Sequence, residues 1–191
     1  MAAPEPTAVL VGGPWSHRDV SANGTRLHVA ETGDGPLVLM LHGFPEFWWG
    51  WRHQLRVLAA AGYRAVAADL RGYGASDKPP RGYDAFTLSG DVAGLVRALG
   101  ERDAVIVGHD WGGFLGWTTA AMHPRVVRRL VVVSMPHPLR QRHALLTQLR
   151  GQLAASRYAL EFQLPWRPER RLVADGAAYV GELLRAWGGP G

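Results

Sequence analysis

Gly108-His109-Asp110-Trp111-Gly112-Gly113 is the stretch that decides how this chain folds. It follows Asp103–Val107, a short β-branched run with strand character, and it opens Trp111–Met122, an apolar segment of helical length. A strand that turns into a helix within two residues needs glycine on either side of the turn, because neighbouring backbone comes too close for Cβ atoms. Asp110 sits at the apex, beside the first N–H groups of the helix and the positive end of its dipole. Two uses of that aspartate compete. It can cap the helix, as aspartate does well, or it can be a carboxylate held in a strained turn as a nucleophile. Capping leaves the three flanking glycines without a purpose, so the second reading is adopted.

Working outward, His42-Gly43-Phe44-Pro45-Glu46 follows Pro36–Leu41, a continuous apolar run of the kind buried on both faces of a sheet. This strand–loop arrangement, in register with the elbow, resembles that of α/β-hydrolases, in which the loop offers one backbone N–H to an oxyanion hole and the residue after the nucleophile offers the other; the resemblance implies Phe44 and Trp111 as the donors. His42, Gly43, Pro45 and Trp48 are the candidate pocket residues around it. Further elements alternate: strands at Trp15–Val20 and Thr25–Glu31 flank a turn at Ala22-Asn23-Gly24, a helix is expected over Trp49–Ala61, and a strand over Arg64–Ala68. A helix over Leu88–Leu99 and an apolar strand over Leu130–Ser134 complete the pattern. Strands alternating with helices predict an α/β fold, mostly parallel, led by an antiparallel hairpin. From about residue 137 the segments turn arginine-rich, aromatic and proline-broken. The expected division is 1–136 for the α/β core and 137–191 for part of a helical cap.

Composition narrows the function. With 47% hydrophobic residues in 191, the chain can bury a sizeable core. Cysteine is absent, which excludes disulfide scaffolds, thiol catalysis and cysteine-ligated zinc. The net charge is +5, but Lys78 is the only lysine and the arginines are scattered. Without a block of like charges, no nucleic-acid partner is expected. No apolar run reaches the ~18 residues of a membrane span, and the first residues do not read as a secretory leader. A cytoplasmic protein with no membrane partner is therefore expected, its oligomeric state left open. The histidines show no paired metal-ligand spacing, so neither metal nor cofactor is expected.

The two loops carry a family resemblance. His42-Gly43-Phe44-Pro45-Glu46-Phe47-Trp48-Trp49-Gly50-Trp51-Arg52, Asp69-Leu70-Arg71-Gly72-Tyr73-Gly74-Ala75-Ser76-Asp77-Lys78-Pro79 and the elbow at Asp110 resemble the epoxide hydrolase and haloalkane dehalogenase branch of the α/β-hydrolases. The resemblance spans roughly residues 10 to 170. It implies that Asp110 attacks a small apolar epoxide and forms an alkyl ester, which water then cleaves to a diol. It also implies a cap tyrosine that donates to the opening epoxide oxygen, for which Tyr158 is the candidate. Trp111, where fluoroacetate-type dehalogenases carry Arg, and Phe44, where haloalkane dehalogenases carry Asn, both favour the epoxide side. A dehalogenase, with the Trp111 indole facing a leaving halide, and an inactive remnant are the alternatives. The family also uses a histidine and a second acid after the cap. No histidine follows His143, so the resemblance implies an amino-terminal part of a longer enzyme, with the last strands missing.

Overall fold

A computed structural model describes residues 6–147, 162, 164 and 166–187. Its backbone groups into two compact units, Pro4–Pro136 and the segment from His137 onward. Six strands build the first: β1 (Ser16–Ala22), β2 (Thr25–Thr32), β3 (Leu37–Leu41), β4 (Arg64–Ala68), β5 (Ala104–His109) and β6 (Val127–Val133). They form one sheet in the order β1-β2-β4-β3-β5-β6. β1 and β2 are an antiparallel hairpin, β2 meets β4 antiparallel, and the rest is parallel. This is the mixed α/β architecture expected from the alternating pattern.

The hairpin closes through Asn23 and Gly24, with φ of 49° and 72°. Two consecutive left-handed residues make the turn whose twist matches a hairpin, and Asn-Gly is the pair that adopts it most readily. β3 runs through the middle of the sheet with all five residues buried, as its unbroken apolar sequence demands. Its side chains alternate between two cores. Leu37, Leu39 and Leu41 pack with Val66, Ile106, Leu95 and Leu115, beneath α2 (Ala85–Ala98) and α3 (Trp111–Met122). Val38 and Met40 pack with Ala65, Ala67, Trp48 and Leu55 on the opposite face, under α1 (Arg52–Ala60). Each such leucine contributes about 1.5–3 kcal/mol.

Boundaries depart from the sequence expectation for local reasons. The helix expected over Trp49–Ala61 begins as a 3-10 turn, Trp48–Trp51, and becomes α-helical only at Arg52. α2 starts three residues early because Asp84 caps it, accepting from Thr87 N (3.0 Å) and Thr87 Oγ1 (2.7 Å). β6 extends back to Val127 through Arg128 and Arg129. It is the last strand on its side, so both arginines can reach solvent, and Arg128 pairs with Asp103 at 2.6 Å. In the second unit lie α4 (Pro138–Thr147), α5 (Arg167–Val173) and α6 (Ala178–Trp187), with the Arg171 guanidinium 3.8 Å above the Tyr179 ring. No described helix is long and apolar enough to cross a membrane.

Arg71, in the loop after β4, crosses to α2. Its Nε and Nη2 donate to Asp91 Oδ2 and Oδ1, both at 2.7 Å, and Asn23 Nδ2 adds a third bond at 2.8 Å. Both charges are buried, at 7% and 4% exposure. Removing one partner strands the other, so Arg71→Met should cost about 3–5 kcal/mol in urea unfolding. The double change Arg71→Met with Asp91→Leu should recover most of that loss.

Candidate active site

β3 and β5 are adjacent parallel strands, and their carboxyl ends deliver the two loops to one place, where open α/β sheets bind ligands. Asp110 links β5 to α3 with φ 50° and ψ −118°, a conformation that strains any residue with a side chain. Its backbone N–H donates to Val133 O (3.2 Å) and its carbonyl accepts from Phe114 N (3.0 Å), so the turn is tied on both sides. The side chain makes no capping bond to α3. Its Oδ1 instead accepts from the backbone N–H of Phe44, 3.1 Å away in the loop after β3.

The glycines make that approach possible. A Cβ on Gly43 would overlap the Asp110 side chain, and one on Gly112 would overlap the Leu41 and His42 carbonyls. The helix end is thus pressed against the end of β3 by backbone contact. The second expected oxyanion donor, Trp111 N–H, begins α3 directly after Asp110, while Trp111 is 38% exposed.

The expected pocket residues behave differently from one another. Gly43 is buried against Asp110, and Pro45 is half-buried in the loop. His42 is fully buried: Nδ1–H donates to Gly43 O (2.9 Å), and Nε2 accepts from Leu70 N–H (3.1 Å). Burial lowers its pKa, and both nitrogens are committed, so it is a neutral brace for the loop and presents nothing to a substrate. Trp48 is likewise corrected. At 0% exposure it is core, packed edge-to-face against Trp15 and Trp49, with its Nε1–H donating to Val9 O (2.8 Å). An indole attached to a loop of this kind reads as a wall from sequence, but the hairpin covers it here. Tyr158 lies outside the described residues.

Two contributions were not legible beforehand. Asp69, in a turn-rich loop, accepts Trp48 N (2.8 Å) as well as Ala75 N (2.9 Å) of its own loop. Together with Leu70 on His42, this pins the Phe44 loop at both ends to the loop after β4. His109 faces the Phe44 loop: its Nδ1 lies 3.1 Å from Glu46 Oε2. Glu46 lies in the loop of Phe44 and His109 is next to Asp110, so the pair straps that loop to the elbow. Among the described residues no cluster of three metal-ligating side chains occurs.

Comparison with known proteins agrees with the fold. The sequence profile described as "alpha/beta hydrolase fold" matches residues 36–184. The chain is 42% identical over 181 residues to "Epoxide hydrolase B" of Mycobacterium tuberculosis, covering 90% of this chain and 51% of that protein. It is 44% identical over 161 residues to "AB hydrolase superfamily protein YfhM" of Bacillus subtilis, covering 80% and 54%. A crystal structure of an epoxide hydrolase from Vigna radiata superposes with a TM-score of 0.76 at 37% identity, covering 91% of this chain and 56% of that one. The chain spans about half the length of the curated relatives it matches.

Two outcomes follow from the site. Gly43→Ala should lose about 1–3 kcal/mol of stability in urea unfolding, since the added methyl must push Asp110 aside. The Glu46–His109 strap should depend on pH. The hydrogen bond from His109 lowers the Glu46 pKa, and the same bond raises that of His109 against partial burial. The histidine contribution is complete below its unfolded value of ~6.5 and fades as pH climbs through the raised folded value. The glutamate contribution is complete above ~4.3 and fades as pH falls through the lowered one. The difference in unfolding midpoint between the wild type and Glu46→Gln should therefore be largest near about pH 5–6 and shrink toward alkaline pH.

Proposed function

From the premise that the chain belongs to the α/β-hydrolase fold family, we propose that it carries the nucleophilic half of an epoxide hydrolase site, with Asp110 as the attacking carboxylate. The observation that carries this reading is the Phe44 N–H donating to Oδ1 of an aspartate that makes no capping bond at a strained elbow. Several relatives at 40–44% identity bear the name epoxide hydrolase, which favours an epoxide over an organohalide as the electrophile.

The chemistry follows from which oxygen is held. Phe44 fixes Oδ1, so the other carboxylate oxygen is the one to attack a ring carbon of a small apolar epoxide. A new carbon–oxygen bond forms, the ring carbon–oxygen bond breaks, and its electron pair stays on the epoxide oxygen. That alkoxide takes a proton from a donor, for which Tyr158 remains the sequence candidate; a phenol is an unionised donor near neutral pH. Oδ1 is then the ester carbonyl oxygen. Water adding to Cγ would place negative charge on it, where Phe44 N–H and Trp111 N–H would stabilise the oxyanion.

The second step needs a base for that water, worth about 10²–10⁴-fold. Neither histidine beside Asp110 is disposed to serve: both His42 nitrogens are engaged, and His109 is paired with Glu46. Incubation of the 191-residue chain with styrene oxide should therefore add one epoxide unit to the intact mass, on Asp110, without sustained diol production. Asp110→Asn should abolish the adduct. Folded protein that takes up no epoxide would overturn the proposal, as would an adduct that survives Asp110→Asn. Faster adduct formation with a primary bromoalkane would favour the dehalogenase alternative.

A further inference from the structure

Three titratable side chains form a row that the proposed reaction does not use. Asp69, at the end of β4, is fully buried; His28 on β2 is 2% exposed, and His17 on β1 is half-buried. Asp69 Oδ2 lies 2.8 Å from His28 Nδ1, His28 Nε2 lies 2.9 Å from His17 Nδ1, and His17 Nε2 lies 3.0 Å from the Val11 carbonyl.

The two ends of the row fix how many protons it contains. A carbonyl oxygen only accepts, so His17 Nε2 must carry a hydrogen toward Val11. Asp69 receives backbone N–H groups from Trp48 and Ala75, one on each carboxylate oxygen. Burial works to raise its pKa, but the bonds from His28, Trp48 and Ala75 outweigh it and the net shift is downward. The carboxylate is therefore ionised, and His28 Nδ1 donates to it. The contact between the rings needs one more hydrogen. That makes three hydrogens on four ring nitrogens, whereas two neutral imidazoles carry two. We infer that His17 and His28 jointly hold one extra proton, balanced by Asp69, and that this proton clasps the N-terminal segment and Trp48 onto the sheet.

The clasp reaches the oxyanion loop through Trp48. The Trp48 ring stands edge-to-face to His17 with centroids 5.0 Å apart, its Nε1–H holds Val9 O, and its backbone N–H ends the loop on Asp69. Loss of the proton sets two lone pairs against each other, either between the rings or at Val11, and one bond of the row is lost. Surrounding charges do not replace it. Arg18, Asp19, Arg26, Asp77 and Lys78 line a cavity of about 780 Å³ together with the two histidines. Arg26 is engaged by Asp19 and Asp77, Arg18 by Glu31, and Lys78 donates to the Gly74 and Ser76 carbonyls. On the loop side of Asp69, His42 is neutral in its brace.

The test is made on the full chain with no substrate, so its result is independent of the reaction proposed above. In long-range proton–nitrogen NMR with labelled histidine at pH 7, three of the four ring nitrogens of His17 and His28 should carry hydrogen. Two would overturn the inference. His17→Phe keeps a ring but removes the outer acceptor and donor, and hydrogen exchange over residues 44–50 at the same pH, corrected for intrinsic rate, should be at least tenfold less protected in this variant. Unchanged protection in the folded variant would refute the clasp. If the variant does not fold, the nitrogen count in the wild type decides alone.

Discussion

The site rests on one close approach, that of the α3 amino terminus to the carboxyl end of β3. With no Cβ on Gly112 or Gly43, the helix backbone meets the Leu41 and His42 carbonyls and the loop meets Asp110. Asp110 then has no room for an ordinary connection and takes φ 50°, which costs roughly 1–3 kcal/mol. Such a turn persists only when its surroundings over-determine it. Here β5 is hydrogen-bonded to β3 on one side and β6 on the other, while Val133 and Phe114 hold the turn itself. The strained residue is the one whose carboxylate meets Phe44, so the strain is spent on aiming that group.

A second node, Asp69, supports the first from behind. The Phe44 loop would otherwise be a short glycine- and proline-bearing excursion with few internal bonds. It is fixed at its start by Leu70 N–H on His42, and at its end by Trp48 N–H on Asp69. Both anchors belong to the loop after β4, so its position is referred to the sheet twice. A buried carboxylate is expensive unless every oxygen is satisfied. Trp48, Ala75 and His28 satisfy this one, which allows it to be rigid without being neutral.

The elbow was readable because its physics is local: a β-branched run, three glycines and a helix within a few residues. The order of strand and helix was readable for the same reason, as was the Asn23-Gly24 turn. What sequence hid was long-range. Asp69 looks like a turn residue because one of its partners, Ala75, is in its own loop; the others come from β2 and from the start of the 3-10 turn. Glu46 and His109 stand 63 positions apart, and nothing in the intervening residues signals their pairing. Trp48 was misread because an indole next to a functional loop suits a wall or a core equally well. Only the position of β1 and the N-terminal segment over it decides the matter, and Trp48 Nε1–H on Val9 O records that decision.

The described contacts around Asp110 are short in range. Phe44, Asp110 and Trp111, with their braces at His42, Glu46, Asp69, Leu70 and His109, all fall between residues 42 and 111, inside the unit Pro4–Pro136. Each of these braces is a hydrogen bond between strands of one sheet or the loops that leave them. The aim of the Asp110 carboxylate is therefore set by the same packing that stabilises the sheet. The two histidines beside this carboxylate belong to the same bracing: both ring nitrogens of His42 and Nδ1 of His109 are hydrogen-bonded. A lone pair that holds a loop in place is withdrawn from proton transfer, so on these nitrogens rigidity and basicity compete, and rigidity has taken them.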